Sequence, residues 1–250
     1  MYIDTHCHLS IEDYDDIDLV IKENRENSIE KIIISGCTRD TIKESLELIE
    51  KYDDVYATIG YHPSEVDITT SEDLLLLEKQ IQNEKVVGIG EIGLDYHYGD
   101  DNKDKQISLF RNQMELASKY KLPVVIHSRD ATADTINILK EYNVVGDIHC
   151  FSGSLEVARI YINMGYKLGI GGVVTFKNSN LYKVIESIGL ENIILETDAP
   201  YLTPEPNRGK KNSSKYIPDI AKKISEILDC SIEEVAKTTT QNACSLFDLK

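Results

Sequence analysis

Eight short apolar runs, rich in Val and Ile and alternating with helical stretches, constrain this chain more than any other feature. They are YIDTHCHL (2–9), KIIISGC (31–37), VYATIGYHP (55–63), VVGIGEIGLD (86–95), PVVIHSRD (123–130), VGDIHCFSG (145–153), KLGIGGVVTF (167–176) and NIILETDAPYL (192–202). Near-continuous apolar runs are the pattern of parallel strands covered on both faces. In the fourth intervening stretch, Ile107, Phe110, Met114 and Ala117 recur at three- and four-residue steps and form one apolar stripe. Pro123 then marks the entry to the next strand, and Ser231 with Glu234 gives the S-x-x-E of a capping box, which predicts a helix near the C-terminus. Eight strands, each followed by a helical segment and with no long linker, predict a TIM-type (β/α)₈ barrel, an α/β fold, as a single domain over residues 1–250. An open doubly wound sheet is the alternative. The first strand–helix turn has no G-x-G-x-x-G, so a dinucleotide site is not expected.

The hydrophobic fraction of 41% supports a substantial core. A net charge of −16, from 27 basic and 43 acidic residues, argues against a nonspecific nucleic-acid binder. It leaves room for an enzyme whose site holds cations and a local basic patch. The five cysteines (Cys7, Cys37, Cys150, Cys230, Cys244) are scattered and odd in number, which reads as reduced thiols. No basic, apolar leader and no membrane-length apolar segment is evident, so a cytoplasmic protein without a membrane or a stable protein partner is expected.

Each apolar run turns polar at its C-terminal end. His6 and His8 end the first run and His62 the third; Glu91 and Asp95 lie in the fourth; His127 and His149 follow in the fifth and sixth; Glu196 and Asp198 lie in the eighth. If the first run is a strand, alternation places His6 and His8 on one face and Cys7 on the other. In a barrel these strand ends form the rim on which active sites are built. Any one of them alone is best explained as a satisfied polar residue. Together they are not, because a buried ring of carboxylates and imidazoles without a cation is costly. His97, away from the strand ends, reads as an ordinary solvated residue.

His6, His8, Glu91, His127, His149 and Asp198 are therefore six candidate metal ligands, more than one tetrahedral zinc needs. Two ions bridged by Glu91 use them naturally, with His6, His8 and Asp198 on one and His127 and His149 on the other. A single ion of higher coordination number is the alternative. Such a rim implies hydrolysis by a metal-activated water. Imidazole-rich ligation leans toward Zn, Mn, Co or Ni over Mg.

The motifs DTHCHL, GYHP, GEIGLDY, HSRDA, HCFSG and ETDAPYLTP, in this order and spacing, closely resemble those of the TatD family of metal-dependent deoxyribonucleases. The likeness runs from the first strand to NACSLF near the C-terminus. It implies a distorted barrel of the amidohydrolase superfamily that cleaves DNA phosphodiesters, 3′ to 5′ on single strands or 3′ ends. The family's metal ligands fall on the same six residues, and Asp198 is also expected to orient the attacking water or take its proton, with Glu91 beside it in catalysis. By the same resemblance His62 and Arg208 contact substrate phosphate. Where the family commonly continues with Asn-Glu-Pro, this chain has Asn212-Ser213-Ser214, which bears on the geometry of that loop and not on the chemistry.

The residues of the loop agree. NRGKKNSSK (207–215) carries Arg208, Lys210, Lys211 and Lys215 with no acid among them, directly after the eighth strand of a strongly acidic chain. A solvated basic loop is the ordinary account; a phosphate clamp, with Arg208 as its bidentate member, is favoured here. Glu196 shares the face of Asp198 and is expected to orient a ligating histidine, or else to pair with a buried Lys or Arg. Arg129 either touches substrate or pairs with Asp130 or Asp134. Cys7 and Cys150 alternate away from the ligands and read as core thiols. Two other functions fit parts of the pattern: hydrolysis of an ester, amide or lactone, including the ester of D-aminoacyl-tRNA, and a noncatalytic metal-binding module.

Overall fold

The computed structural model describes residues 1–99 and 101–249. Among these residues lie eight strands: β1 (Tyr2–Cys7), β2 (Ile29–Gly36), β3 (Val55–Ile59), β4 (Val86–Asp95), β5 (Val124–Arg129), β6 (Gly146–Ile148), β7 (Lys167–Ile170) and β8 (Ile193–Leu195). They form one sheet in chain order, and the recorded pairs, such as Gly93 with His127 across β4 and β5, are parallel. Helices α1 (Ile17–Glu26), α2 (Arg39–Lys51), α3 (Ser71–Gln80), α4 (Lys103–Tyr120), α5 (Thr132–Leu139), α6 (Leu155–Asn163) and α7 (Leu181–Ile188) follow strands one to seven, and α8 (Ile217–Leu228) and α9 (Ile232–Phe247) follow the eighth. The fold is the expected (β/α)₈ barrel. Among the described residues no helix is long and apolar enough to cross a membrane.

The chain groups into two compact units, Met1–Ile34 with the chain from Cys150 onward, and Ser35–His149. In the first unit β8 runs beside β1, where Thr5 Oγ1 donates to the Leu195 carbonyl at 3.0 Å. Its core is the apolar matter of β1, β7 and β8 against α8 and α9, including Ile193, Ile194, Ile220, Ile224 and Val235, all fully buried. Ser231 caps α9, its Oγ accepting from the Glu234 N–H at 3.1 Å, which is one half of the expected capping box. In the second unit the core is Ile59, Ile89, Ile92, Val124 and Ile126 with Phe110, Met114 and Ala117 of α4. The expected α4 stripe faces inward, with Ile107 at its partly exposed edge.

Three strands, β6, β7 and β8, cover less than half of their apolar runs. Only three residues of 145–153 and three of 192–202 are strand, and after β7 the chain turns into a short 3₁₀ segment, Gly172–Thr175. At Gly172 a Cβ would come within 2.0 Å of the Leu202 carbonyl oxygen, so two backbones pack directly together there. The apolar residues past the strand ends support the loops that carry the polar side chains.

Candidate metal centre

In the second unit the side chains gather around Glu91, which is 4% exposed. β4 places Glu91 and Asp95 on one face, four residues apart. Glu91 Oε1 lies 2.7 Å from His127 Nδ1, 3.7 Å from His149 Nε2 and 3.9 Å from His62 Nε2. On the other side of the same imidazole, Asp95 Oδ2 lies 3.3 Å from His127 Nε2. Gly93 lets the two strands meet here: it adopts φ of +146°, and a Cβ would fall 2.0 Å from the His127 carbonyl oxygen. Burial pushes the His127 imidazole down, but the hydrogen bonds with Asp95 and Glu91 outweigh it and raise the group to about 9. Two carboxylates against one ring demand a positive charge, which a proton or a divalent cation can supply. The Glu91, His127 and His149 ligand atoms lie within 4.8 Å of one another, which fits an ion after a small opening of the Glu91–His127 contact.

His62 holds a different tautomer. Its Nδ1 accepts from the Ser64 backbone N–H at 3.1 Å, so in the neutral ring Nε2 carries the proton. A protonated Nε2 donates a hydrogen bond and does not ligate a metal.

In the first unit His6 Nε2 and His8 Nε2 are 3.4 Å apart, Asp198 Oδ1 is 3.4 Å from His8 Nε2, and the same oxygen is 3.7 Å from His6 Nε2. Bonds of about 2.1 Å at tetrahedral angles put ligand atoms about 3.4 Å apart. The triangle therefore fits a first-row divalent ion almost without movement. Cys7 points the other way, its thiol toward the Ile33 carbonyl, as strand alternation requires.

Backbone bonds set this triangle. Asp198 N donates to the His6 carbonyl at 3.0 Å, and His8 N to the Ala199 carbonyl at 2.7 Å. Asp198 itself sits at φ of +55°. Fully buried Asp4 ties the two segments from beneath, accepting from Thr197 N at 3.0 Å, Thr197 Oγ1 at 2.6 Å and His6 N at 3.3 Å. Burial raises its carboxyl to about 7, against the hydrogen bonds from Thr197, Ser214 and His6 that pull it down. Asp4→Ala leaves those donors unpaired in a dry place and is expected to cost about 2–4 kcal/mol of stability. Asp4→Asn, which keeps an acceptor oxygen, is expected to cost clearly less. Denaturant titrations of both variants at one pH check this, and equal losses would refute the clamp.

Glu196 Oε1 accepts from the Cys150 backbone N–H at 2.7 Å, fixing the residue that follows His149 in the chain. Arg208 is exposed, its guanidinium 4.1 Å from the Phe176 ring centroid and one nitrogen donating to the Thr203 carbonyl. Lys210 is exposed beside Asn207, Lys211 donates to the Asp13 carbonyl, and Lys215 is neutralised by Glu23 at 2.7 Å. The loop thus offers three cations not neutralised by an acid, Arg208, Lys210 and Lys211, and not four. Arg129 pairs with neither Asp130 nor Asp134, which bond His97 and Lys103 instead; it lies 5.5 Å from the Tyr98 ring centroid. His97 consequently has a side-chain partner in Asp130, 3.0 Å from its Nδ1, and is not merely solvated.

Asp95 was visible in GEIGLDY but not as a partner of His127; its even spacing from Glu91 is the signal. Three buried amides had no signal of that kind. Gln106 accepts from Asp95 N and donates to Asp95 O, and Gln113 does the same at Tyr61, next to His62. Asn212 donates to the Thr197 carbonyl at 2.8 Å and the Tyr201 carbonyl at 2.5 Å, bracketing Asp198. The Asn-Ser-Ser loop therefore keeps its first residue as a brace.

Imidazole and carboxylate triads at the strand ends of a (β/α)₈ barrel define a metal-dependent hydrolase. The chain belongs to the TatD related DNase family, whose family model matches residues 3–248. It is 46% identical over 252 residues to YabD of Bacillus subtilis, named an uncharacterized metal-dependent hydrolase, with 99% of each chain covered. Among solved structures it resembles the TatD homologue YjjV of Escherichia coli, at 30% identity and a TM-score of 0.92, covering 100% of this chain and 98% of that one. A TatD family hydrolase of Entamoeba histolytica is similar at 29% identity and a TM-score of 0.86, covering 98% and 97%.

Proposed function

We propose that this hydrolase cleaves DNA phosphodiesters from 3′ ends, acting on single strands with two divalent cations. His6, His8 and Asp198 would hold one ion and His127 and His149 the other, with Glu91 shared between them, as the family's donor set supports. The observation that carries the reading is the His6–His8–Asp198 triangle, with edges of 3.4, 3.4 and 3.7 Å. Bound cations of Zn, Mn, Co, Ni or Mg would acidify water and neutralise the phosphate charge. Asp198, 15% exposed at its side chain, would accept a proton from the attacking water. His62 has a free-standing reason to donate from Nε2 to a phosphate oxygen, because Ser64 occupies its other nitrogen. Arg208 and Lys210 bring positive charge to an acidic chain and favour a polyanionic substrate. All five cysteines are free thiols, which supports a cytoplasmic setting.

Metal-stripped protein given 3′-overhang DNA with Mg, Mn, Co or Zn in turn is expected to shorten the strand from its 3′ end, and a chelator to stop it. A metal-loaded, folded protein that shortens DNA with none of these ions would sink the nuclease reading. Turnover of an ester, amide, lactone or D-aminoacyl-tRNA in its place would identify the other amidohydrolase chemistry.

A further inference from the structure

A cavity of about 360 Å³ opens in the second unit, and two of its lining residues, His62 and Asp95, belong to the cluster around Glu91 and His127. Its size lies in the lower part of the range that small ligands occupy, about 300–1,000 Å³. Pro63 and Tyr98 give it apolar and aromatic wall, while Ser64 and Asn102 give it polar edges.

Charge decides what can enter. Asp67, Asp95 and Asp101 line the cavity, and among the described residues no lysine or arginine does. Asp67 is paired with Lys105 at 2.6 Å and Asp95 with His127; Asp101 has no ion pair among the described residues. Apart from His62, the charged side chains of the lining are carboxylates, so a phosphate brought inside finds no fixed cation there and is disfavoured. A neutral ring bearing amino groups meets acceptors.

Tyr98 supplies the second feature. It is 87% exposed, and its ring is held by the Arg129 guanidinium and by the His97 ring at 4.9 Å, not by core packing. A lone exposed tyrosine is ordinary. One that borders a nucleoside-sized, anion-rejecting cavity next to a phosphate-facing histidine is a stacking surface.

We propose that this cavity is a nucleobase subsite, which takes the base beside the cut phosphate onto Tyr98 and prefers amino-bearing bases to thymine. The proposal deepens the nuclease reading and rests on it. His62 then stands at the junction, with its Nε2–H toward the phosphate and its ring forming part of the cavity wall. Arg129 acts through Tyr98, as a positioning residue.

The test is a cycle of protein and substrate changes. Single strands ending in 3′-dC, in 3′-dT or in an abasic sugar are cut by wild-type protein and by Tyr98→Ala. Loss of the base and loss of the ring are each expected to raise KM about tenfold on the dC end. The wild-type to variant ratio should fall toward one on the abasic end, and dC should be preferred to dT. An equal KM penalty on all three ends would overturn the proposal. Binding of deoxycytidine, which has no phosphodiester to cut, is followed in parallel by ligand-observed NMR. Binding that is lost in Tyr98→Ala supports the subsite even if no DNA is cut, in which case the nuclease reading alone fails. No binding to wild-type protein, with cleavage intact and indifferent to the base, would overturn the subsite and leave the nuclease standing.

Discussion

Glu91→Gln is expected to lower kcat by about 10³-fold or more while leaving the metal-free fold close to wild type. The substitution is nearly isosteric and keeps one oxygen facing His127, so little volume is lost at a buried position. What it removes is the negative charge among three imidazoles, those of His62, His127 and His149, within 3.9 Å. A cation entering that space is then poorly neutralised. Thermal unfolding separates the two effects. An ion present at 100 times its Kd stabilises the folded chain by about 2.7 kcal/mol, and Glu91→Gln is expected to lose much of that metal-induced rise. The metal-free stability should change by about 1–2 kcal/mol, the difference between a charge-assisted and a neutral hydrogen bond to His127, because Asp95 still faces the other nitrogen of that ring. A variant that retains both the metal-induced rise and turnover would remove Glu91 from the centre. One that unfolds without metal would show that the carboxylate acts mainly in the core.

The barrel was legible because parallel strands covered on both faces leave continuous Val and Ile runs, a local signal. The candidate ligands were legible for a related reason: a polar side chain ending an apolar run has few purely structural uses. Strand lengths were not legible. Beyond Ile148 and Leu195 buried apolar residues such as Phe151 and Ala199 recur because loops pack there, and composition does not distinguish a packed loop from a strand. The amide braces were hidden for a different reason. Gln106 and Gln113 occupy a helix whose apolar stripe explains its amphipathicity without them, and Gln113 meets its partner 52 residues away in the chain. No periodicity records such a contact. Asn212 lay inside a run of basic residues, and charge drew attention to Arg208 while the uncharged neighbour positions Asp198. Arg129 was ambiguous between substrate and salt bridge because two acids lie near it in sequence. Each of those acids has another partner in space, His97 for Asp130 and Lys103 for Asp134, and the guanidinium lies against Tyr98.

Asp198→Asn is expected to be the cleanest separation of chemistry from folding. Asp198 sits in the left-handed region, at φ of +55°, where most side chains are strained but asparagine is tolerated nearly as well as aspartate. Its backbone N–H to the His6 carbonyl, at 3.0 Å, does not depend on the side chain. The loop should therefore keep its shape, held by Asn212 and by Asp4 through Thr197, and the melting temperature of the metal-free protein should stay near that of wild type. Asparagine can still present an oxygen near His6 and His8, but it cannot take a proton from water. A fall in kcat of about 10³-fold, with KM for DNA changed by less than about threefold, is the expected result. Asp198→Ala differs in a useful way: it loses the oxygen as well and is poorly suited to the left-handed backbone, so it should also lose stability. Comparable kcat in Asp198→Asn and wild type would exclude the carboxylate as proton acceptor. The His6–His8 pair would then have to act with a proton acceptor from elsewhere in the chain.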